Sequence, residues 1–325
     1  MDRRTFIGAT AAGIAAPLAG IAQQAAIVRR IGVLAIEPLP TQAELTEEAA
    51  PLRALGWVEG KNLLVERRYA NGRAELLRPF AEELVRLKVE IIGTLSTPAT
   101  LAAKNATSTI PIVIWSAADP VGSGLVASLS RPGGNVTGLS LLGPEVDAKR
   151  LALLRELLPS LLRVGVLENS GNPYYRAHRS EFAQACRSLG IQPIFVEVAA
   201  ESELQNAIGE MARLGAQALF VPPGDLFYAS RVPLMTAASR YALPTVTSDR
   251  GMLAEGALAF FAYSEAEQNQ RYASFVDRIL RGAKPAELPM EQPTKFELGI
   301  NVKTAKALGI AVPKPLLLRA DEVIQ

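Results

Sequence analysis

The run "RIGVL" at Arg30 returns as "RVGVL" at Arg163, and this recurrence limits the possible folds more than any other feature of the chain. Two weaker matches keep nearly the same spacing: Leu55-Gly56 recurs at Leu189-Gly190, and Ile110-Pro111 recurs as Leu243-Pro244. Strand-type and helix-type runs alternate in the same order after each copy. Self-similarity at a fixed offset, with the order of elements preserved, is expected of one unit built twice.

Each unit reads as a βαβα series. "RIGVLAI" (30–36) is a continuous apolar run, as in strands buried on both sheet faces. Leu45, Ala49, Leu52 and Leu55 then recur at helical spacing, and Pro51 should kink or shorten that helix. "NLLVERRYA", "AELLRPFAEELVRL", "VEIIGTL", "ATLAAKNAT" and "IPIVIW" continue the alternation, which predicts a parallel sheet covered by helices. About ten strands would strain a single open sheet. The expected class is therefore α/β, with two Rossmann-like, doubly wound parallel-sheet lobes. Residues 30–142 and 264–289 are expected in lobe one, and 145–256 and 290–325 in lobe two, joined by a hinge of three crossings. "NVTGLSLLGPEVDAKR", "GALAFFAYSE" and "RGAKPAELP" supply the linking stretches.

Charge and composition exclude several functions. The 34 basic and 32 acidic residues are mixed along the chain and leave a net charge of +2, so no polyanion-binding stripe exists and nucleic acid is not an expected partner. Cys186 is the only cysteine, which rules out a disulfide framework or a cysteine metal cluster, and it reads as a small core residue on a helix. His178 is the only histidine, so no two-histidine zinc motif is available. There is no G-x-S-x-G elbow, P-loop or H-E-x-x-H, and no cofactor, metal or catalytic residue is expected.

The N-terminus reads "MDRRTFIGATAAGIAAPLAGIAQQA", with Arg3-Arg4 ahead of an uncharged Ala/Gly/Ile stretch. A charged n-region, a short apolar h-region and small residues before "QQ" fit a signal peptide over 1–22, cleaved after Ala22. Twin arginines resemble signals that export folded proteins. A membrane anchor is the rival, but the stretch is short and broken by Pro17. The mature protein is expected to be soluble, periplasmic and monomeric.

In open parallel sheets, ligands sit beyond the carboxyl ends of the strands. Two facing sheets would therefore enclose a cleft, and the strand ends supply its candidate residues. Lobe one offers Glu37, Ser96, Thr97, Trp115, Asp119 and Ser140. Lobe two offers Asn169, Asn172, Tyr174, Asp225, Phe227, Tyr228 and Asp249, and the return segment adds Phe260, Phe261 and Tyr263. Aromatic groups beside hydroxyls, amides and carboxylates suit a small, partly apolar molecule. Phe260 and Phe261 are adjacent in a strand, so at most one of them faces a ligand. In "STPAT", Thr97 is expected to cap the helix that Pro98 opens, and the exposed N–H groups there could accept a carboxylate. The expected ligand-binding set is Ser96, Thr97, Asp119, Asn172, Tyr174, Asp225, Phe227, Asp249 and Phe261.

"DPVGSGL" (119–125) continues to Ala127 as G-x-G-x-x-A, with Glu145 about where a ribose-binding acid would fall. A dinucleotide loop opens almost at the strand end, whereas here Ser116 to Val121 intervene, and Asp119 would set a negative charge beside the pyrophosphate. We read Asp119 as a polar group at the strand end, with Gly122 and Gly124 easing in a helix that "LVASL" opens.

The stretches "LGWVEGKNLLVERRYANG", "STPATLAAKNATSTIPIVIWSAADPVGSGLVASLSRPGGNVTG", "DAKRLALLRELLP", "ILRGAKPAELPMEQPTKFELGINVKTAKALGI" and "RADEVI" together resemble the substrate-binding proteins of ABC transporters, in the family that includes tryptophan-type binders. The resemblance runs from about Ile31 to Ile324. It implies a type I periplasmic binding protein architecture, an amino acid or aromatic carboxylate closed in by hinge motion, and delivery to a membrane permease. The family's Thr-Pro falls on Thr97 and Pro98, its Asp-Pro on Asp119 and Pro120, and its asparagine-rich loop on Asn169 to Asn172. Its Asp-x-Phe segment falls on Asp225 and Phe227, followed by Ser230 and Arg231. The chain departs from the pattern at the return strand, where Phe260, Phe261 and Ala262 replace the Ser-Tyr-Gly common in relatives and make the region more apolar. The alternatives are an exported nucleotide-dependent enzyme, or a sensor subunit that passes occupancy to a membrane receptor.

Overall fold

The computed structural model describes residues 28–141 and 143–325. The signal reading falls on residues 1–22, outside the described residues. Among the described residues no helix is long and apolar enough to cross a membrane.

Two sheets organise the chain. The first contains β1 (Arg29–Ala35), β2 (Leu63–Tyr69), β3 (Ile91–Thr94), β4 (Ile112–Ile114) and β5 (Val136–Gly138), all parallel, in the order β2-β1-β3-β4-β5. The second contains β6 (Arg163–Asn169), β7 (Gln192–Val198), β8 (Ala218–Val221), β9 (Thr245–Thr247), β10 (Ala259–Tyr263), β11 (Phe296–Asn301) and β12 (Glu322–Ile324). Its order is β12-β11-β10-β9-β8-β6-β7, and only the β10–β11 pair is antiparallel. The repeated "R-x-G-V-L" segments are β1 and β6, which hold the same place in their sheets. In each lobe the winding reverses beside that strand, between β1 and β3 and again between β6 and β8. Crevices form at such switch points, beyond the carboxyl ends of the strands.

The crossings exchange helices between the lobes. The chain leaves β5 through Gly138, whose φ is +126° and where a Cβ would meet the Ile114 carbonyl oxygen at 2.3 Å. Only glycine permits that approach. The helix Gly143–Leu157 then buries Leu151, Leu154 and Leu157 with Val164, Val166 and Phe220 in lobe two. The return helix Glu265–Leu280 buries Phe275, Val276 and Ile279 with Ile31, Leu63 and Ile91 in lobe one. A parallel bridge between Leu139 and Glu291 ties the first and third crossings together.

Local chemistry explains the details that sequence periodicity missed. The first helical stretch breaks at Ala49 into Gln42–Glu48 and Ala50–Ala54, with Pro51 in the first turn of the second piece. The helix expected from "LVASL" is absent, and residues 119–134 form turns and bends. Asp119 Oδ1 accepts from Val121 N–H at 3.1 Å and Gly122 N–H at 2.9 Å, which turns the chain at once. Leu125 and Val126 enter the lobe-one core as loop residues. Lys104 Nζ satisfies the Gly124 and Leu125 carbonyls at 2.7 and 3.0 Å. The cap of the helix Thr97–Ala106 is Ser96 rather than Thr97. Ser96 is extended, and its Oγ lies 3.4 Å from Ala99 N–H, whereas Thr97 is already the first helical residue.

Candidate functional site

A cavity of about 510 Å³ lies between the lobes at their facing switch points. Glu37, Pro38, Leu39, Tyr69, Leu95 and Trp115 line it from lobe one, and Pro223, Tyr228, Ser248 and Asp249 from lobe two. Leu141, Tyr263, Gln268 and Asn269 line it from the crossings. Its volume is within the ordinary range for small-molecule sites. Trp115 Nε1 donates to Asn269 Oδ1 at 2.7 Å, which fixes the indole, and Tyr228 Oη and Ser248 Oγ share a 3.0 Å hydrogen bond.

Unmatched polar atoms concentrate here. Among the described residues, Glu37 Oε2, Asp249 Oδ2, Tyr263 Oη and Gln268 Nε2 on the lining, and Asp225 Oδ2 off it, are buried without a hydrogen-bond partner. Buried polar groups are ordinarily satisfied, so a cluster of exceptions in one place indicates a site built for something else. Glu37 follows β1 and Asp225 follows β8, so the two carboxyls approach from opposite lobes. Burial pushes the Asp225 carboxyl well above the ordinary carboxylate range, and the nearby Glu37 charge adds to this. The Ser96 hydroxyl and Asp225's own N–H pull the other way. Glu37 is also raised, by burial, against backbone N–H groups of Glu37 and Ile36. Two acids in these surroundings relieve their repulsion by holding a proton or by meeting a positive charge.

One cation is fixed beside the cleft. Arg150 is 2% exposed yet lines the cavity. Its Nε donates to the Phe261 carbonyl at 2.6 Å and its Nη1 to Asp147 Oδ1 at 2.7 Å, leaving Nη2 without a partner among the described residues. Asp147 Oδ2 in turn accepts from Tyr174 Oη at 2.8 Å.

The residues expected from sequence divide into separate groups. Asp249 lines the cleft. Its Oδ1 caps the following turn at Gly251 N–H (2.8 Å), and its Oδ2 lies 3.4 Å from Arg231 Nε without a directed hydrogen bond. Ser96 and Asp225 meet off the cleft lining, with Glu37 close enough to act on Asp225, and Thr97 is buried at the start of its helix. Asn172 uses its side chain to cap the helix Pro173–Ser188, accepting from Tyr174 N–H at 3.1 Å. Asp119 is not on the cleft wall but at the seam between lobes, opposite His178. Tyr174 turns toward Asp147, away from the cleft lining. Phe227 is wholly buried, edge-on to Tyr175, because the apolar core of lobe two claims it. Phe261 stacks on Phe296 with ring centroids 5.3 Å apart, so its neighbours Ala262 and Tyr263 reach the cleft instead.

Sequence reasoning placed Glu37 and Trp115 at strand ends but left them out of the expected set, and it missed Arg150 and Gln268 entirely. One signal for Arg150 was present. Asp147 and Arg150 stand three apart on the same helical stripe as Val146, Leu151 and Leu154, where a charged pair is out of place unless it is buried for a purpose.

Comparison with known proteins agrees with this fold. Over 255 residues, 78% of this chain and 73% of the relative, the sequence is 28% identical to a tyrosine-binding protein of Clostridioides difficile strain R20291. The structure of an ABC domain in complex with L-Trp from Streptococcus pneumonia superposes with a TM-score of 0.85 at 24% identity, covering 91% of this chain and 100% of that one. A conserved domain protein from Vibrio cholerae O1 biovar El Tor also gives 0.85, at 27% identity, over 91% of this chain and 99% of that one. The family model described as ABC transporter substrate binding protein matches residues 47–324. With two parallel-sheet lobes around a small-molecule cleft, the chain belongs to the ABC transporter substrate binding protein family.

Proposed function

We propose that this protein captures an amino acid with an aromatic side chain in the interlobe cleft and presents it to the permease of an ABC importer, in the periplasm after export. The observation that carries this reading is Glu37 Oε2, which lines the cleft without a hydrogen-bond partner among the described residues, with the buried Asp225 carboxyl of the other lobe close enough to feel its charge. A ligand ammonium between them would neutralise both and draw the lobes together. Arg150 Nη2 is the counterpart for the ligand carboxylate, and Tyr69, Trp115, Tyr228 and Tyr263 provide aromatic surface for its side chain. Against Arg150 and Arg231, the lining carries Glu37, Glu44, Glu47, Glu48, Asp249 and Glu265, an acidic excess that favours a ligand carrying an ammonium over an aromatic carboxylate without one. The tyrosine and tryptophan named for two relatives support the same class. No chemistry is assigned to the site: ligand binding acts by biasing an open–closed equilibrium, because only the closed form touches the ligand from both lobes.

The test is a thermal-shift and calorimetric comparison of L-tryptophan, L-tyrosine and L-phenylalanine with the same acids lacking the amino group, and with nucleotides. Binding to the native state alone at a hundredfold the dissociation constant adds about 2.7 kcal/mol, which such a screen detects easily. Stabilisation that needs the amino group is the expected result. Equal response to the deaminated acids, or response to nucleotides only, would overturn the reading.

A further inference from the structure

A second cavity, of about 290 Å³, lies within lobe two between its sheet and the helices Gly143–Leu157 and Pro173–Ser188. Its floor is aromatic: Phe182 packs on Phe220 with centroids 4.7 Å apart and meets Phe195 at 6.1 Å. In this apolar setting stands one acid, Glu168 on β6, only 4% exposed and without a hydrogen bond from any described residue. Its nearest cation is Arg179, with Nη1 3.4 Å away. That guanidinium is itself shared with Glu197 at 3.2 Å and lies over the Phe195 ring at 4.6 Å. Burial, eased by Arg179 and reinforced by Glu197, pushes the Glu168 carboxyl up to about 7. A carboxyl that opens onto a cavity, and whose nearest cation is shared with a second carboxylate, can take a further cation.

We infer that this cavity is a second ligand site, independent of the interlobe cleft, for a small aromatic amine whose ammonium meets Glu168 and whose ring lies against Phe182 and Phe220. Aromatic faces attract a cation as well as a ring. Of the further acids on the walls, Asp147 is held by Arg150 and Tyr174 and Glu181 faces His178, which leaves Glu145 beside Glu168. Arg179 is already shared between two carboxylates, so a cation suits the cavity better than an anion. The site is built from lobe two alone and does not require lobe closure. It therefore stands or falls apart from the cleft reading.

The probe is 4-fluorophenethylamine, followed by ligand-observed fluorine NMR on the full chain, with unlabelled phenethylamine as competitor. Ala185→Phe fills the cavity, Glu168→Gln removes its charge, and Glu37→Gln alters the cleft. We expect saturable, competable binding to Glu37→Gln, in which amine binding at the cleft is weakened, and expect that binding to be lost when Ala185→Phe is added and to be at least about tenfold weaker when Glu168→Gln is added; a tenfold change corresponds to about 1.4 kcal/mol. Circular dichroism and melting of each variant establish folding, and Glu168→Gln keeps the test decisive if Ala185→Phe fails to fold. Absence of saturable binding in Glu37→Gln, or binding there that survives the addition of Glu168→Gln or Ala185→Phe unchanged, overturns the proposal.

Discussion

Asp119 Oδ2 lies 2.9 Å from His178 Nε2, a contact between a loop of lobe one and a helix of lobe two. Nε2 is not aligned for a hydrogen bond to that oxygen, and Nδ1 faces Glu181 at 3.0 Å. Opening of the lobes, as the proposed function requires, would break this contact, which would then act as a latch. Asp119→Asn keeps the oxygen that turns the loop and removes only the charge. A partly exposed pair is worth up to about 1 kcal/mol. The variant is expected to bind its ligand about two- to fivefold more weakly and to shift scattering profiles of the free protein toward the open form. Unchanged affinity and unchanged scattering would dismiss the latch.

The Glu37–Asp225 pair makes a prediction in protons. Both carboxyls are raised in the free protein, Asp225 by burial and then by Glu37, and Glu37 by burial. A raised acid holds its proton more tightly in the folded than in the unfolded state, so it contributes stability at low pH that is lost as pH rises through its folded value. An ammonium ligand favours the ionised pair and should expel protons on binding. Calorimetry in buffers of different ionisation enthalpy is expected to show net proton release at mildly acidic pH, with affinity increasing as pH rises. Glu37→Gln should diminish both effects, and no dependence on the buffer would mean that the pair does not meet a cation.

Arg150 and Asp147 form a buried pair, 2% and 4% exposed, with Nη1 and Oδ1 2.7 Å apart. Removing one partner strands the other charge in the interior, a loss of about 3–5 kcal/mol. Arg150→Met and Asp147→Asn should each destabilise strongly in denaturant melts, and the double variant should lose much less than the two losses combined. Simple additivity would show that the pair is not coupled. Tyr174→Phe should cost about 1 kcal/mol through its lost hydrogen bond to Asp147.

The sheets were legible because buried parallel strands are written as uninterrupted apolar runs, and the "R-x-G-V-L" recurrence marks the first strand of each lobe. The site was legible only in part. Knowing that ligands lie beyond strand ends selects Glu37, Ser96, Asp225 and Asp249, but not that Glu37 and Asp225 face one another, since this depends on how the lobes meet. Phe227 and Tyr174 look like pocket aromatics in composition; the core of lobe two and the carboxylate of Asp147 decide otherwise. The "LVASL" segment has helical residues but not helical surroundings, because the Asp119 turn and the Lys104 ammonium satisfy its backbone as a loop.

Glu168 offers a test of how burial alone sets stability. Its carboxyl rises from the ordinary 4.5 to about 7, first through burial, against the attraction of Arg179 and with the repulsion of Glu197. The folded state therefore holds the Glu168 proton more tightly than the unfolded chain does. Its contribution is complete below the unfolded value near 4.5 and is lost as pH rises through about 7. Glutamine has no proton to lose. The difference in melting temperature between Glu168→Gln and the unmodified protein should accordingly rise across that window and level off above it, in favour of the variant. If an aromatic amine occupies the neighbouring cavity, the ionised carboxylate gains a partner, and adding phenethylamine should erase the variant's advantage at high pH. A difference that stays flat with pH would mean that Arg179 already neutralises Glu168 in full.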